Sequence, residues 1–219
     1  LGVRWAALRN RKAGLQIDGQ RRTFDLLRAT LNPENKSMWI HASSRGECEQ
    51  GRTLIERNRS ENPDAHIGLS VFSPSGYEVR KNYDGADLVC YLPFDTPLNA
   101  RRFVKLARPE AAFFIKYEFW RNYIEVLYKR GIPCYSVSSI FRENQIFFRP
   151  YGRGYARGLS RMTHLFVQNE TSRRLLEGIG VTNVDVVGDT RFDRVLDIRN
   201  AAKPLPLVER FAGCWKVLV

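Results

Sequence analysis

The chain has little of what membrane spans, metal centres and disulfide scaffolds are made from. No apolar run approaches the roughly 18 residues that cross a bilayer, and none forms the apolar stretch of a secretion signal. Cys48, Cys90, Cys134 and Cys214 lie far apart in the sequence, with no Cys-x-x-Cys pair. That pattern reads as free thiols in a reducing compartment. The three histidines, His41, His66 and His164, have neither His-Glu-x-x-His nor Cys/His ligand spacing. They read as structural, and no metal is expected. The Asp-x-Asp motif of many metal-dependent sugar transferases is absent, and no Gly-x-Ser-x-Gly elbow makes a nucleophile of Ser43 or Ser44. Gly152-x-Gly154-x-x-x-Gly158 is one residue off a dinucleotide fingerprint and follows no strand, so it reads as a loop feeding an arginine-rich helix. No cofactor is expected. Sequons at Asn35, Asn58 and Asn169 read as chance matches.

Acidic residues are in short supply too: 23 against 35 lysines and arginines, a net charge of +12. Such a balance points to an anionic partner. The excess is uneven. Residues 1–22 hold Arg4, Arg9, Arg11, Lys12, Arg21 and Arg22 against Asp18, and residues 141–161 hold Arg142, Arg149, Arg153, Arg157 and Arg161 against Glu143. In the first 37 residues, Val3, Trp5 and Leu8 mix with arginines, and Phe24, Leu26, Leu27 and Leu31 form a second apolar set. The first of these pieces reads either as the end of an amphipathic helix lying on a membrane or as an ordinary helix packed on the domain.

From residue 38 onward, strand-like and helix-like patterns alternate. Strands are expected at 38–42, 66–72, 87–92, 111–116, 133–138, 164–168 and 183–187. Helices are expected near 47–60, 74–82, 97–107, 119–130, 151–161 and 170–179. This is the signature of a parallel sheet with helices on both faces. The helix from 119 should stop at Gly131 and Pro133. Lys203-Pro-Leu-Pro206 reads as a linker. The closing Trp215–Val219 reads as a strand just beginning, so a fragment is expected.

In such a sheet, ligands collect at the carboxyl ends of the strands. The first strand leads into Ser43, Ser44, Arg45, Gly46 and Glu47, where a helix start favours an ionised carboxylate. The bland alternative for Glu47 is a helix-start acid with no further role. The other ends present Ser73, Ser75 and Gly76; Asp95; Lys116 and Glu118; Ser138, Ser139 and Arg142; and Gln168 to Glu170. Hydroxyls, cations and two carboxylates on one edge suit a reaction in which a base takes a hydroxyl proton while cations hold phosphates.

Six of these stretches, in order, resemble motifs of the 3-deoxy-D-manno-octulosonic acid (Kdo) transferases. They are His41-Ala-Ser-Ser-Arg-Gly-Glu47, Ser73-Pro-Ser-Gly76, Tyr91-Leu-Pro-Phe-Asp95-Thr-Pro97, Lys116-Tyr-Glu118-Phe-Trp120-Arg-Asn122, Phe166-Val-Gln-Asn-Glu170 and Gly188-Asp-Thr-Arg-Phe-Asp193. The family's Glu-x-Glu begins here with Lys116, Arg121 stands where its proline follows the tryptophan, and Ser138-Ser-Ile-Phe-Arg142 replaces Asn-Ala-Arg-Leu-Ser. The resemblance implies a GT-B fold of two Rossmann-like halves, of which residues 38–187 are the N-terminal, acceptor-binding one. Residues 188–219 would be the interdomain linker and the start of a C-terminal half that holds the donor, CMP-Kdo.

The implied reaction is inverting transfer of Kdo to a lipid A precursor in lipopolysaccharide biosynthesis. Glu47 would be the base and Glu118 a second essential carboxylate. Ser44, Arg45, Gly46, Ser73, Ser75, Gly76, Lys116 and Arg142 would bind substrate. The implied location is the cytoplasmic face of the bacterial inner membrane, peripheral or N-terminally anchored, with an anionic membrane surface as partner and no nucleic acid. The competing readings are a nucleic-acid-binding α/β domain and another GT-B sugar-nucleotide enzyme.

Overall fold

The computed structural model describes residues 11–30 and 37–201, with residues 206, 210, 211 and 213 beyond them. Val3 to Leu8, the linker reading at Lys203 to Leu205 and the closing Trp215–Val219 lie outside the described residues. Helix α1 (Arg11–Thr30) precedes a repeating pattern: β1 (Ser37–His41), α2 (Arg45–Glu61), β2 (His66–Val71), α3 (Pro74–Arg80), β3 (Leu88–Tyr91), α4 (Pro97–Ala107), β4 (Pro109–Ile115), α5 (Arg121–Lys129) and β5 (Cys134–Ser139). Two short 3-10 turns follow. Then come α6 (Arg153–Leu159), β6 (His164–Val167), α7 (Glu170–Glu177), β7 (Val184–Val186) and α8 (Arg191–Ala201).

All seven strands pair in parallel, in the order β3-β2-β1-β4-β5-β6-β7. Chain order reverses between β1 and β4, which makes the crevice at their carboxyl ends the topological switch point. Alternation along β1 shows why both faces need helices. Trp39 packs on one side with Phe103, Phe114 and Tyr123, and Ile40 on the other with Ile55, Ile67 and Leu69; all are buried. A strand apolar on both faces is stable only when covered on both.

The helix ends follow local chemistry. After α5, the Ile132 N–H bonds to the Leu127 carbonyl and the Gly131 N–H to that of Tyr128, each at 3.0 Å. This Schellman closure needs the left-handed conformation that Gly131 adopts at φ 65°. The start of α5 falls later than the expected 119. Phe119 and Trp120 pack against the core instead of winding, and the carboxylate of Asp95 caps the helix at the Asn122 N–H, 3.1 Å away.

Helix α1, over residues 11–30, packs on the domain. It buries Phe24 and Leu27, and its Thr23 hydroxyl donates to the Tyr91 carbonyl at 2.7 Å. A side chain at Gly19 would overlap the Tyr91 ring, so α1 can lie this close to β3 only with glycine there. The arginine-rich helix is α6. Among the described residues, no helix is long and apolar enough to cross a membrane.

Candidate active site

β1 ends at His41, and the turn Ala42 to Ser44 opens α2. Ser44 is extended (φ −124°, ψ 167°) and its hydroxyl accepts from the Glu47 N–H at 3.4 Å. Glu47 Oε2 accepts from the Ser44 N–H at 3.0 Å. This capping box is the bland role foreseen for Glu47, and it is real. It also fixes the carboxylate over the turn, within the electrostatic reach of Glu118 and His41.

Burial raises the Glu47 carboxyl above its ordinary value, and the charge of Glu118 pushes the same way. Backbone N–H groups of Ser44 and Ser43, and His41, pull it down but do not win. The helix start favours ionisation as the sequence suggests; burial and a second carboxylate reverse the balance.

Glu118 follows β4, the neighbour of β1, and so faces the same crevice. Its side chain is 13 % exposed. Oε2 accepts from Trp120 Nε1 at 2.5 Å and lies 3.2 Å from His41 Nε2. Burial by itself would raise this carboxyl. Hydrogen bonds from His41, Trp120 and Ser43, with the His41 charge, bring it below its ordinary value. The two carboxylates are thus pushed apart in opposite directions, the pattern by which two acids take different roles in one site. Aromatic rings wall the pair: Trp120 stands edge-on to His41 (5.5 Å between ring centres) and packs on Phe72 (4.9 Å).

The second turn adjoins the first. The Ser73 N–H donates to the Ser43 carbonyl at 2.8 Å. The Ser73 hydroxyl caps α3 at Gly76, and the Ser75 hydroxyl lies 3.3 Å from it. At Gly76 a Cβ would come within 3.5 Å of the backbone at Ser44 and Arg45, so the two helix starts meet almost backbone to backbone. The turns Ser44–Gly46 and Ser73–Gly76 therefore adjoin, with Arg45, Gly46 and Ser75 exposed and Gly76 buried between them.

Lys116 and Arg142 lie elsewhere. Lys116 ends β4 with a left-handed φ of 62°; its carbonyl accepts from the Ser139 hydroxyl at 2.6 Å, and its charge bears on Asp189. Ser138, at φ 59°, is a second non-glycine residue in that strained region. Arg142 is exposed in the loop after β5, its N–H closing a turn onto Gln145. None of its described hydrogen bonds or ion pairs reaches the carboxylates.

His41, expected to be structural, also meets a candidate site residue. It is fully buried, as a structural histidine would be, but it touches Glu118. Trp39 and Ser70, which no motif marks, stand behind it. The available signal was register: Trp39 and His41 share a face of β1, and Ser70 pairs with His41 across the strands.

A family model described as 3-Deoxy-D-manno-octulosonic-acid transferase (kdotransferase) matches residues 19–194. The chain belongs to this family. A 3-deoxy-D-manno-octulosonic acid transferase of Haemophilus influenzae is 30 % identical over 46 % of the chain and 24 % of its own length. One from Aquifex aeolicus is 32 % identical over 40 % of the chain and 24 % of its own length. One from Chlamydia trachomatis is 22 % identical over 81 % of the chain and 42 % of its own length. The chain thus spans less than half of these relatives.

Solved structures of similar fold include a UDP-GlcNAc 2-epimerase from Methanocaldococcus jannaschii, with TM-score 0.56 and 17 % identity, over 83 % of this chain and 53 % of that one. Another is from Neisseria meningitidis, bound to UDP-GlcNAc, with TM-score 0.59 and 12 % identity, over 82 % and 53 %. They show a shared Rossmann-like α/β fold of the GT-B kind.

The Kdo transferase motifs serve different purposes in this fold. Those at 41–47 and 116–122 build the crevice. Asp95 caps α5, and the Pro93 carbonyl accepts from the Tyr123 hydroxyl at 2.8 Å. Gln168 donates to the Ser138 carbonyl at 2.8 Å and its hydroxyl at 3.0 Å, holding the strained residue in place. Asp189 accepts from Gln50 of α2 at 2.9 Å, tying the segment after β7 back to α2.

Proposed function

We propose that this chain is the acceptor-binding half of an inverting glycosyltransferase that moves Kdo from CMP-Kdo to a lipid A precursor in lipopolysaccharide biosynthesis. The single observation that carries this reading is the carboxylate pair at the switch point of a Kdo transferase fold. Glu47, raised by burial and by Glu118, accepts the proton of the attacking sugar hydroxyl. A raised carboxylate is the stronger base, and carbon–oxygen bond formation needs that proton removed as the hydroxyl attacks. Glu118 stays ionised, positions the acceptor and keeps Glu47 basic.

The polar turns at Ser44–Gly46 and Ser73–Gly76 hold the acceptor's sugar. Lys116 and Arg142 serve its anionic groups or the donor's. A second Rossmann-like half holds the nucleotide, and the basic surface rests on the cytoplasmic face of the inner membrane. Holding two reactants in reacting geometry is worth roughly 7–11 kcal/mol of barrier, so in this reading transfer needs both halves.

The test assays these 219 residues alone, and within the full-length protein, with CMP-Kdo and lipid A precursor. Transfer is expected from the full-length protein only. Turnover by the 219 residues within about tenfold of the full-length rate would place the donor site here and overturn the division.

A further inference from the structure

Behind Glu118 lies a buried polar chain that the reaction itself does not require. Trp39, Ser70 and His41 are at most 2 % exposed, yet each carries polar atoms that must find partners. Trp39 Nε1 lies 2.8 Å from Ser70 Oγ, and Ser70 Oγ lies 2.8 Å from His41 Nδ1. His41 Nε2 lies 3.2 Å from Glu118 Oε2. The donor and acceptor inventory of these groups fixes where the protons sit. An indole N–H only donates, so Ser70 Oγ accepts from Trp39 and its own proton is free to go onward. The His41 ring nitrogen is the acceptor within its reach. Nδ1 is then the acceptor, the ring proton is on Nε2, and Nε2–H donates to Glu118. The Ser70 carbonyl, 3.0 Å from Nδ1, already accepts from the Ala42 N–H at 3.0 Å. The opposite neutral tautomer would aim a lone pair at a carboxylate and leave the Ser70 proton without a partner.

We infer that Trp39, Ser70 and His41 form a positioning relay that confines the His41 proton to Nε2 and so keeps Glu118 a hydrogen-bond-accepting carboxylate beside Glu47. None of the three touches the reacting atoms; they act through Glu118. The relay spans β1 and β2 and ends on Glu118, three residues past β4, so its first three members are fixed by the sheet. The groups acting on Glu47 are Glu118 from the β4 side, His41 from β1 and the N–H groups of Ser43 and Ser44 at the start of α2. From α3, Arg80 is taken up by Glu49 and the Tyr83 ring. Glu118 is thus the negative charge that keeps Glu47 basic, and the relay holds that charge in place. The catalytic consequence rests on the transferase reading above; the proton positions do not.

The experiment reads protons directly on this chain, without substrate. Imidazole 15N shifts should show the neutral His41 ring protonated on Nε2 and bare on Nδ1. Removing the donor in His41→Leu should raise the Glu118 midpoint, followed by carboxyl 13C shifts, by about one pH unit or more. The Glu47 midpoint should fall. His41→Gln, which keeps an N–H aimed at Glu118, should restore the Glu118 midpoint. Ser70→Ala should release the ring to a mixture of tautomers.

In the full-length enzyme, His41→Leu should lower kcat more than it changes KM and move the acid limb of kcat/KM to lower pH. A neutral His41 ring protonated on Nδ1 in the unaltered chain would overturn the relay without any variant having to fold. An unmoved Glu118 midpoint in folded His41→Leu would overturn it too. Correct titrations with no transferase activity would instead remove the transferase reading and leave the relay standing.

Discussion

The β1–β4 crevice and the segment between β5 and β6 both present charge, and they are built in opposite ways. In the crevice, two carboxylates are held by a capping box, a buried histidine and an indole, each within hydrogen-bond distance of its partner. Between β5 and β6, Arg142, Arg149, Arg153 and Arg157 are exposed, as are Tyr151 and Tyr155. Arg161 is the exception, paired with Glu125 and stacked over Tyr128. A crevice of fixed dipoles can act on a developing charge without reorganising. A field of exposed guanidinium groups attracts an anionic surface of almost any shape and weakens as salt rises. Precision and reach are therefore separated in this chain.

The hardest blow to that comparison comes from Glu47→Gln in the full-length protein. Glutamine keeps the size and can still accept from the Ser44 N–H, so the fold should survive while turnover falls about 100-fold or more. Near-normal turnover with an unchanged melting curve would leave Glu47 a cap and nothing else.

The arginine surface should respond differently, in binding rather than chemistry. Replacing Arg149, Arg153 and Arg157 together by glutamine should weaken association with anionic vesicles about tenfold or more and flatten its salt dependence, with kcat on a water-soluble acceptor unchanged. Co-sedimentation across a salt series reads this. Equal binding to neutral and anionic vesicles, or binding to RNA in preference to either, would show that the surface serves another partner.

A smaller effect sharpens the crevice side. Ser44→Ala removes the cap of α2 and should cost about 1 kcal/mol of stability, measured by denaturant unfolding. Because the same hydroxyl organises the turn that aims Glu47, activity should drop by more than the stability loss explains. A loss in stability with full activity would separate the two roles of that turn.

The smallest signal is in pH. Glu47 is raised in the folded state, so the fold binds its proton more tightly than the unfolded chain does. Its ionisation therefore costs stability, and the cost appears as pH rises from its ordinary value through the raised one. Glu118 is lowered, so its contribution is present above its ordinary value and is lost as pH falls through the lowered one. Glu47→Gln should thus gain on the unaltered protein as pH rises, and Glu118→Gln should lose. Melting curves of both variants with the same sign of pH dependence would contradict the opposed pair.

Much of the scaffold was legible before folding. The alternation from residue 38 located all seven strands, because a strand covered on both faces must be an unbroken apolar run such as Ala111–Ile115, bounded by turn chemistry. Gly131 marked the end of α5 because only a left-handed residue closes that helix. The carboxylates were legible as candidates because parallel strands put their carboxyl ends on one edge. Less legible were Lys116 and Arg142, which follow strand ends as Glu118 does yet lie apart from the pair. Lys116 adopts a left-handed backbone and bears on Asp189, and Arg142 stays in an exposed loop. Chain order says which edge a residue reaches but not which way its side chain leaves the strand.

Sequence by itself determined the parallel sheet, the alternating helices, the family and the two carboxylates as candidates, since each depends on local periodicity, turn residues or ordered motifs. Tertiary structure alone decided that β1 and β4 are neighbours at the switch point, that His41 meets Glu118, and that Ser70 and Trp39 stand behind it. Those contacts join residues 31 and 77 positions apart, and which strands pair is settled by burying Trp39 and Ile40 on opposite faces at once. The opposite displacement of Glu47 and Glu118 is likewise a property of the assembled crevice, because burial and neighbouring charge exist only once the strands have come together.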